Sequence, residues 1–249
     1  MPKKTKKESS DEIVLSLDQL AIPGAIILAG VIIAVAVFFA NKKDADSVDT
    51  SGTENAAEQE NTPEDSDSEF PDTTTDLGSA PYIGDKNKAK VAVIEYNEYN
   101  CSYCLRHKNE TLPSIVKDYI DAGKVIYVFR EFPIYGDDGA NAAKCVYHLT
   151  DIDTYQEFHN GAFEYENTDD LYALAKEVGV NEKDFDSCFT SKKYQSEVDA
   201  DMKAGQDAGV QGTPGFVIGV FDKDGNVTGK LVPGAYPYES FAELIESFL

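Results

Sequence analysis

Residues 91–104 read VAVIEYNEYNCSYC, a run of apolar and mostly β-branched residues that is soon followed by two cysteines. The run VAVI at residues 91–94 is typical of a strand buried on both faces of a sheet. Glu95 follows it and is an anomaly, because an acid that ends a buried strand is costly unless it accepts a proton or finds a partner. The alternative is a strand that simply reaches solvent at Glu95.

The two cysteines form a C-x-x-C site, Cys101-Ser102-Tyr103-Cys104, at the predicted start of a helix. A helix N-terminus offers free backbone N–H groups and the positive end of a dipole, which lower the pKa of the first thiol. We therefore expect Cys101 to be the exposed nucleophile and Cys104, one turn inward, to be the resolving thiol. This geometry supports attack of a thiolate on a disulfide through a mixed disulfide.

Other interpretations of the cysteine pair are weaker. A zinc knuckle needs a second close pair, but Cys145 and Cys188 stand far apart in the sequence. A c-type haem site needs a histidine directly after the second cysteine, where leucine stands. His107 completes no metal site with His148 and His159 and is interpreted as a helix-face residue. We predict no metal and no cofactor, and a purely structural short-range disulfide stays open as an alternative.

The pattern after the cysteine pair predicts a β-α-β unit. The helix should run from Cys101 toward Ala122, with a break at Pro113, and Gly123 should end it. The next strand is predicted at residues 124–132. Because the crossover is helical, the two strands should be parallel.

The remainder of the chain alternates between helical and strand patterns. Residues from about 138 to 209 carry helical patterning and predict an inserted helical subdomain. Strands are predicted at residues 216–221 and 230–232, with an Asp-Gly turn between them. Helical spacing of apolar residues around residues 241–248 then predicts a terminal helix. The order of the elements predicts an α/β fold.

The N-terminal region begins with a short tail, residues 1–19, and an uncharged apolar stretch, residues 20–40. At a rise of 1.5 Å per residue this stretch spans about 30 Å, which is enough for one transmembrane helix. Four lysines precede it and two follow it, so we expect the tail in the cytoplasm and the rest of the chain outside. The alternative is a cleaved signal peptide, with Ala34-Val35-Ala36 as the cleavage motif.

Residues 41–80 are predicted to be a disordered acidic linker. From Asp44 to Ala80 the segment has twelve acids, no base and almost no large apolar residue, so it cannot bury enough surface to fold. Residues 81–249 are then about one domain. The formal net charge of −23 argues against binding to nucleic acid or to an anionic lipid surface.

Several motifs together carry a resemblance to a known family. They are Tyr82-Ile83-Gly84-Asp85, residues 91–99, the C-x-x-C site, residues 123–133 and Gly212-Thr213-Pro214-Gly215-Phe216. In this order and spacing, over about residues 80–249, the chain resembles the DsbA-like thiol:disulfide oxidoreductases, of the membrane-anchored bacterial type. The resemblance implies a thioredoxin-like fold with an inserted helical subdomain.

The resemblance also implies roles for single residues. Cys101 and Cys104 match the redox pair, and Glu95 matches a buried catalytic acid beneath them. Pro214 matches a cis-proline that faces the redox pair, and Thr213 would offer its backbone to an extended substrate. Without the family, Pro214 would be interpreted only as a proline that starts a strand.

Three further points concern the site and its insertion. Tyr103 is expected on the substrate-binding side, at a position where several strongly oxidising relatives carry histidine. The resemblance therefore leaves the strength of this protein as an oxidant open. Cys145 and Cys188 match a structural disulfide of some relatives, with two buried free thiols as the alternative.

The expected function is that of an extracytoplasmic enzyme, single-pass in the membrane, which oxidises cysteines of exported proteins. The implied partners are reduced or partly unfolded exported proteins and a membrane-embedded, disulfide-generating reoxidant. The alternatives are a disulfide reductase or isomerase, and a redox-inert thioredoxin-like module that binds extended peptides.

Overall fold

The structure is a computed structural model, and it describes residues 70–249. A six-stranded mixed sheet with the order β1-β6-β5-β3-β4-β2 lies at its centre. The strands are β1 Asp72–Asp76, β2 Tyr82–Ile83, β3 Val91–Asn97, β4 Val125–Glu131, β5 Gly215–Phe221 and β6 Asn226–Pro233. Apolar cores form on both faces of this sheet, so the predicted α/β fold is confirmed.

The central strands β3 and β4 run parallel and are buried along their whole length. Their crossover consists of α1 Ser102–Glu110, α2 Leu112–Ile115 and a π-helical segment Val116–Ile120. The break between α1 and α2 comes just before Pro113, because proline lacks the backbone donor that a continuous helix needs. Gly123, with φ +70°, follows the crossover in the left-handed conformation that glycine adopts readily.

Between the fourth and fifth strands the chain forms a helical insertion. Its helices are α3 Asp138–Leu149, α4 Ile152–Ala162, α5 Thr168–Glu177, α6 Glu182–Thr190 and α7 Gln195–Asp207. Cys145 on α3 and Cys188 on α6 are joined by a disulfide with both side chains buried. The insertion therefore has a covalent link between two of its own helices.

Strands β5 and β6 form an antiparallel hairpin that extends the sheet beyond β3. Gly219 and Gly229 face each other across this hairpin. A Cβ atom on either residue would overlap the backbone of the other strand, so the close approach requires glycine at both positions. After the hairpin, α8 Tyr238–Phe248 buries one apolar face against the sheet.

Alternate residues of β3 point to opposite faces of the sheet. Val91 and Val93 belong to the core that contains Cys104 and is covered by α1, α8 and most of the insertion. Tyr96 belongs to the opposite core, next to residues at the end of α7. Glu95, one residue before Tyr96, therefore lies on the face that carries the cysteines.

One predicted boundary is wrong. The linker was expected to extend to residue 80, but Asp72–Asp76 forms β1, which pairs with β6 in antiparallel register. Leu77, just after it, is buried in the core. The segment is acidic overall, but β1 contains three consecutive threonines, a residue type that favours strands. The edge of β6 provides the unpaired backbone N–H and C=O groups with which β1 forms its hydrogen bonds.

The predicted tail, residues 1–19, and the predicted membrane span, residues 20–40, lie outside the described residues, as does the linker up to residue 69. Within residues 70–249 no helix is long and apolar enough to cross a membrane.

The disulfide in the insertion generates the first testable prediction. It closes a loop with a sequence separation of 43 residues. In the chain-entropy model, such a cross-link stabilises a protein by about 4 kcal/mol. Replacing Cys145 and Cys188 together by alanine should therefore lower the free energy of unfolding in urea by roughly this amount. Peptide mapping under non-reducing conditions is the control, and recovery of both cysteines as free thiols would contradict the assignment.

Candidate active site

The two cysteines of the C-x-x-C site occupy the first turn of α1. Cys101 is the N-cap residue, and its carbonyl accepts the first helical hydrogen bond, from the Leu105 N–H at 3.1 Å. Cys104 is fully buried, whereas Cys101 keeps 9% of its surface exposed. Cys101 is thus the more accessible thiol, as predicted, but it is less exposed than the sequence suggested because a second loop covers it.

That second loop contains Thr213 and Pro214, which are joined by a cis peptide bond. The Cys101 thiol donates a hydrogen bond to the Thr213 carbonyl oxygen, with the sulfur and the oxygen 3.2 Å apart. The residues are 112 positions apart in the sequence, and the pairing of β3 with β5 brings them together. The predicted nucleophile and the predicted substrate-binding loop therefore share one site.

The surroundings of Cys101 favour its thiolate. Its pKa is lowered from 9.0 to about 5, chiefly by the hydrogen bond from the Cys104 thiol and then by the Thr213 side chain. The backbone N–H groups of Cys104 and Tyr103 contribute as well, while partial burial opposes them. The sequence predicts that the helix N-terminus lowers the pKa of Cys101. In the structure the neighbouring Cys104 thiol lowers this pKa more than the helix N-terminus does.

Cys104 has the opposite properties. Burial raises its pKa far above the ordinary value of a thiol, and the nearby Cys101 and Glu95 raise it further. A buried thiol of this kind does not ionise spontaneously near neutral pH. Its proton must therefore pass to a neighbouring base whenever Cys104 acts as a nucleophile.

Glu95 is the candidate for that base, because it lies on the same face of the sheet and interacts electrostatically with Cys104. Its side chain is only 1% exposed, so β3 does not reach solvent at this residue. Burial raises the pKa of Glu95 to about 7, and a hydrogen bond from the Tyr127 hydroxyl at 2.8 Å partly opposes this effect. A carboxyl group that titrates near neutral pH can both accept and return a proton during turnover.

Two members of this site, His107 and Tyr127, were not predicted from the sequence. His107 lies on a helix face, as predicted, and this face of α1 is buried, with the His107 ring 4.4 Å from the ring of Phe216. Its Nε2 atom lies 3.0 Å from the Tyr127 hydroxyl. The spacing of Cys104 and His107, three residues apart on one helix, was the available signal, because such residues share a face.

Glu98 is a further residue that the sequence analysis did not single out. Its carbonyl accepts the Cys101 N–H at 3.1 Å. Its buried carboxylate accepts hydrogen bonds from the backbone N–H groups of Asn100, Ile134 and Tyr135 at 3.0, 2.7 and 3.1 Å. Glu98 therefore ties the loop that carries the nucleophile to the loop that follows β4.

A groove runs beside the cysteines, and it brings the three predicted substrate-binding residues together. Tyr103 is 58% exposed at its rim, with the Arg106 guanidinium 5.0 Å from the centre of its ring. A cavity of about 380 Å³ is lined by Tyr103, Arg106, Thr213 and residues 233–237. A second cavity of about 510 Å³ surrounds Pro214 and includes residues 209–215. This surface can accept an extended polypeptide next to Cys101.

A family model described as thioredoxin matches residues 76–244, which include both cysteines, Glu95 and the cis-proline loop. The chain belongs to the thioredoxin family. Within residues 70–249 no three His, Cys, Asp or Glu side chains are grouped so that they could hold a metal ion.

Individual relatives place the chain near the DsbA-like members of the thioredoxin family. Disulfide bond formation protein D of Bacillus subtilis is 25% identical over 180 residues, which cover 68% of this chain and 77% of that protein. Probable disulfide bond formation protein D of Bacillus cereus is 29% identical over 146 residues, 53% of this chain and 67% of that protein. A putative protein-disulfide oxidoreductase of Rickettsia typhi is 28% identical over 147 residues, 55% of this chain and 53% of that protein.

Solved structures agree with this placement. The oxidised form of BdbD from Bacillus subtilis has a TM-score of 0.62 at 23% identity and covers 72% of this chain and 97% of its own. The thiol-disulfide exchange protein α-DsbA2 from Wolbachia pipientis has a TM-score of 0.55 at 27% identity, with coverage of 68% and 86%. The site and these relatives together identify the chain as a thiol:disulfide oxidoreductase. They argue against the alternative of a redox-inert module that binds peptides.

The different environments of the two cysteines lead to a trapping prediction. The Cys104→Ala variant loses the resolving thiol and the hydrogen bond that it gives to Cys101. Cys101 keeps the hydrogen bonds from Thr213 and from the first turn of α1, so this variant should accumulate mixed disulfides with client proteins. The Cys101→Ala variant keeps only the buried thiol and should accumulate none. Non-reducing gels after acid quenching of cells that express each variant measure the difference. Equal trapping by the two variants would contradict the assignment of Cys101 as the nucleophile.

Proposed function

We propose that this oxidoreductase works as an oxidase, which transfers its Cys101–Cys104 disulfide to reduced or partly unfolded exported proteins. The observation that supports oxidation of clients is the stabilised Cys101 thiolate. It accepts hydrogen bonds from the Cys104 thiol, Thr213 and the first turn of α1. Stabilising this thiolate stabilises the reduced enzyme, and a stable reduced form makes the disulfide a stronger oxidant.

The proposed cycle begins with the oxidised enzyme. A client thiolate attacks the sulfur of Cys101, the bond to Cys104 breaks, and the Cys104 sulfur takes a proton from Glu95. A second client thiolate then attacks the client sulfur of the mixed disulfide, and Cys101 leaves as a stabilised thiolate. The client gains a disulfide, and the enzyme is left as a dithiol.

A membrane-embedded, disulfide-generating partner would return the enzyme to its oxidised form. Cys101 attacks the disulfide of this partner, and Cys104 then attacks Cys101 and releases the partner as a dithiol. During this second attack the proton of Cys104 passes to Glu95, which lies on the same face of the sheet. The reoxidant and the client would use the same exposed edge of Cys101.

We also propose that the catalytic domain is tethered to the outer face of a membrane by residues 20–40. The apolar length of that stretch and the excess of lysines before it support this arrangement. The buried disulfide between Cys145 and Cys188 supports an oxidising compartment for the domain.

Oxidase activity is tested on a reduced, unfolded substrate that contains several cysteines. The oxidised enzyme should restore the activity of the substrate at stoichiometric amounts, and a glutathione titration should give a reduction potential above roughly −180 mV. A soluble fragment for this assay should begin before Phe70, because β1 belongs to the sheet. The Cys101→Ala/Cys104→Ala variant is the inactive control. A potential near about −270 mV with insulin reduction and no refolding would make the protein a reductase instead.

The location is tested in cells that express the full chain. The protein should stay in the membrane fraction after alkaline carbonate extraction, and a protease added to intact spheroplasts should degrade the catalytic domain. Deletion of residues 20–40 should release the protein into a soluble fraction. A catalytic domain that survives the protease until the spheroplasts are lysed would contradict the proposed orientation.

A further inference from the structure

A chain of three side chains runs from the active site into the core beneath it. The Tyr127 hydroxyl donates a hydrogen bond to Glu95 Oε2 at 2.8 Å. On its other side, the same hydroxyl lies 3.0 Å from His107 Nε2. All three side chains are buried, and they come from β3, β4 and α1.

The positions of the protons in this chain follow from the contacts. Tyrosine has one hydroxyl proton, and Glu95 receives it, so the Tyr127 oxygen presents only lone pairs to His107. A favourable contact at 3.0 Å then requires an N–H on Nε2. Burial lowers the pKa of His107 to about 3, so the ring is neutral and Nδ1 carries no proton. His107 is therefore a donor toward Tyr127.

The rest of the environment of His107 is apolar. Its ring packs against Phe216 and Phe241, with ring centres 4.4 and 5.1 Å away. Within the part of the chain that the structure describes, Nδ1 is buried and has no hydrogen-bond partner. A phenylalanine would fill this site without burying a polar atom, so packing alone does not explain a histidine here.

We propose that His107 is a positioning residue for the proton transfer between Cys104 and Glu95. By donating to the Tyr127 oxygen, His107 prevents the Tyr127 hydroxyl from turning toward the helix and keeps its proton directed at Glu95. Glu95 is thereby held as a carboxylate with Oε2 satisfied and Oε1 free to take the proton of Cys104. Oε1 is buried and has no hydrogen-bond partner among residues 70–249.

Other groups also act on Glu95 and must be distinguished from His107. Cys101 and Cys104 lie above it on α1, and β5 contributes only the neutral Phe216 opposite Glu95 in the strand register. The other ionisable groups that interact with Glu95 are Tyr99, Tyr127, Glu131 and Tyr155, from the loop after β3, from β4 and from α4. Among residues 70–249, His107 is the only side chain besides Glu95 that is hydrogen-bonded to the Tyr127 hydroxyl.

The step to measure is closure of the enzyme disulfide, with the aromatic disulfide of thionitrobenzoate as oxidant. The Cys101 thiolate attacks this reagent and releases one coloured thionitrobenzoate. Cys104 then attacks the Cys101 sulfur and releases the second, while its proton passes to Glu95. The two thiols are oxidised to a disulfide, and the reagent is reduced to two thiolates. Stopped-flow absorbance separates the two releases, and only the second reports on Glu95.

In the full-length protein the rate of the second release should rise with pH through the pKa of Glu95, because only the carboxylate accepts the proton. The midpoint should lie below the value of about 7 for the reduced site, since the Cys101 sulfur is uncharged in the mixed disulfide. Tyr127→Phe removes the hydrogen bond to the carboxylate and should move this midpoint upward by about one pH unit. His107→Phe should move it in the same direction by a smaller amount. Since His107 acts only through Tyr127, His107→Phe should add nothing in the Tyr127→Phe background.

Matched variants separate positioning from packing. Tyr96→Phe removes a buried hydroxyl from the same strand as Glu95 but on the opposite face, where Tyr96 pairs with Thr75, and it should leave the midpoint unchanged. His107→Gln keeps an N–H donor near the position of Nε2 and should retain the wild-type midpoint. Infrared difference spectra of the Glu95 carboxyl group in the reduced protein, assigned with Glu95→Gln, should show the same order of midpoints among the variants without any reaction.

The proposal is wrong if His107→Phe folds and keeps the wild-type midpoint, or if its effect adds to that of Tyr127→Phe. If His107→Phe does not fold, the proposal is tested by the His107→Gln variant and by the infrared titration of Tyr127→Phe. A wild-type infrared midpoint in Tyr127→Phe would equally overturn the proposal. These outcomes do not test whether the protein acts as an oxidase in cells, because the assay measures disulfide closure in the isolated protein.

Discussion

Complete burial of the Cys104 sulfur is the constraint on which the rest of the site depends. A thiol without solvent cannot exchange its proton with water, so it needs a base within the core, and Glu95 on β3 is the buried acid that interacts with it. The same burial keeps Cys104 protonated, so its thiol can donate a hydrogen bond to Cys101 and stabilise the outer thiolate. One inner sulfur therefore sets both the reactivity of the nucleophile and the need for a titratable acid in the core.

The sequence could predict what is encoded locally. The apolar run before Glu95, the cysteine spacing and Gly123 each carry their signal within a few residues, and their elements formed as expected. The partnership of His107 and Tyr127 could not be predicted in this way, because it depends on how α1 packs onto β4. The strand β1 was missed for a related reason, since its stability comes from β6, about 150 residues later in the chain.

The helical insertion is joined to the sheet by charged groups as well as by apolar packing. Asp201 on α7 accepts a hydrogen bond from Lys144 on α3 at 2.6 Å, and its other oxygen lies 3.8 Å from Arg130 on β4. Arg130 also contacts Asp76 at the end of β1, at 2.6 Å. Lys144, Arg130 and Asp201 are buried, so the loss of one partner would leave an uncompensated charge. This arrangement favours a single orientation of the insertion above the active site.

The pairing of β1 with β6 also has a mechanical consequence. β1 is the first strand of the domain, so a load on the N-terminal side of the chain enters the sheet at Asp72, opposite Lys230. Five registered residue pairs between the two strands would share that load. β6 ends at Pro233, which lines the groove beside Cys101. Tension on the chain would thus be borne by a strand whose last residue lines this groove.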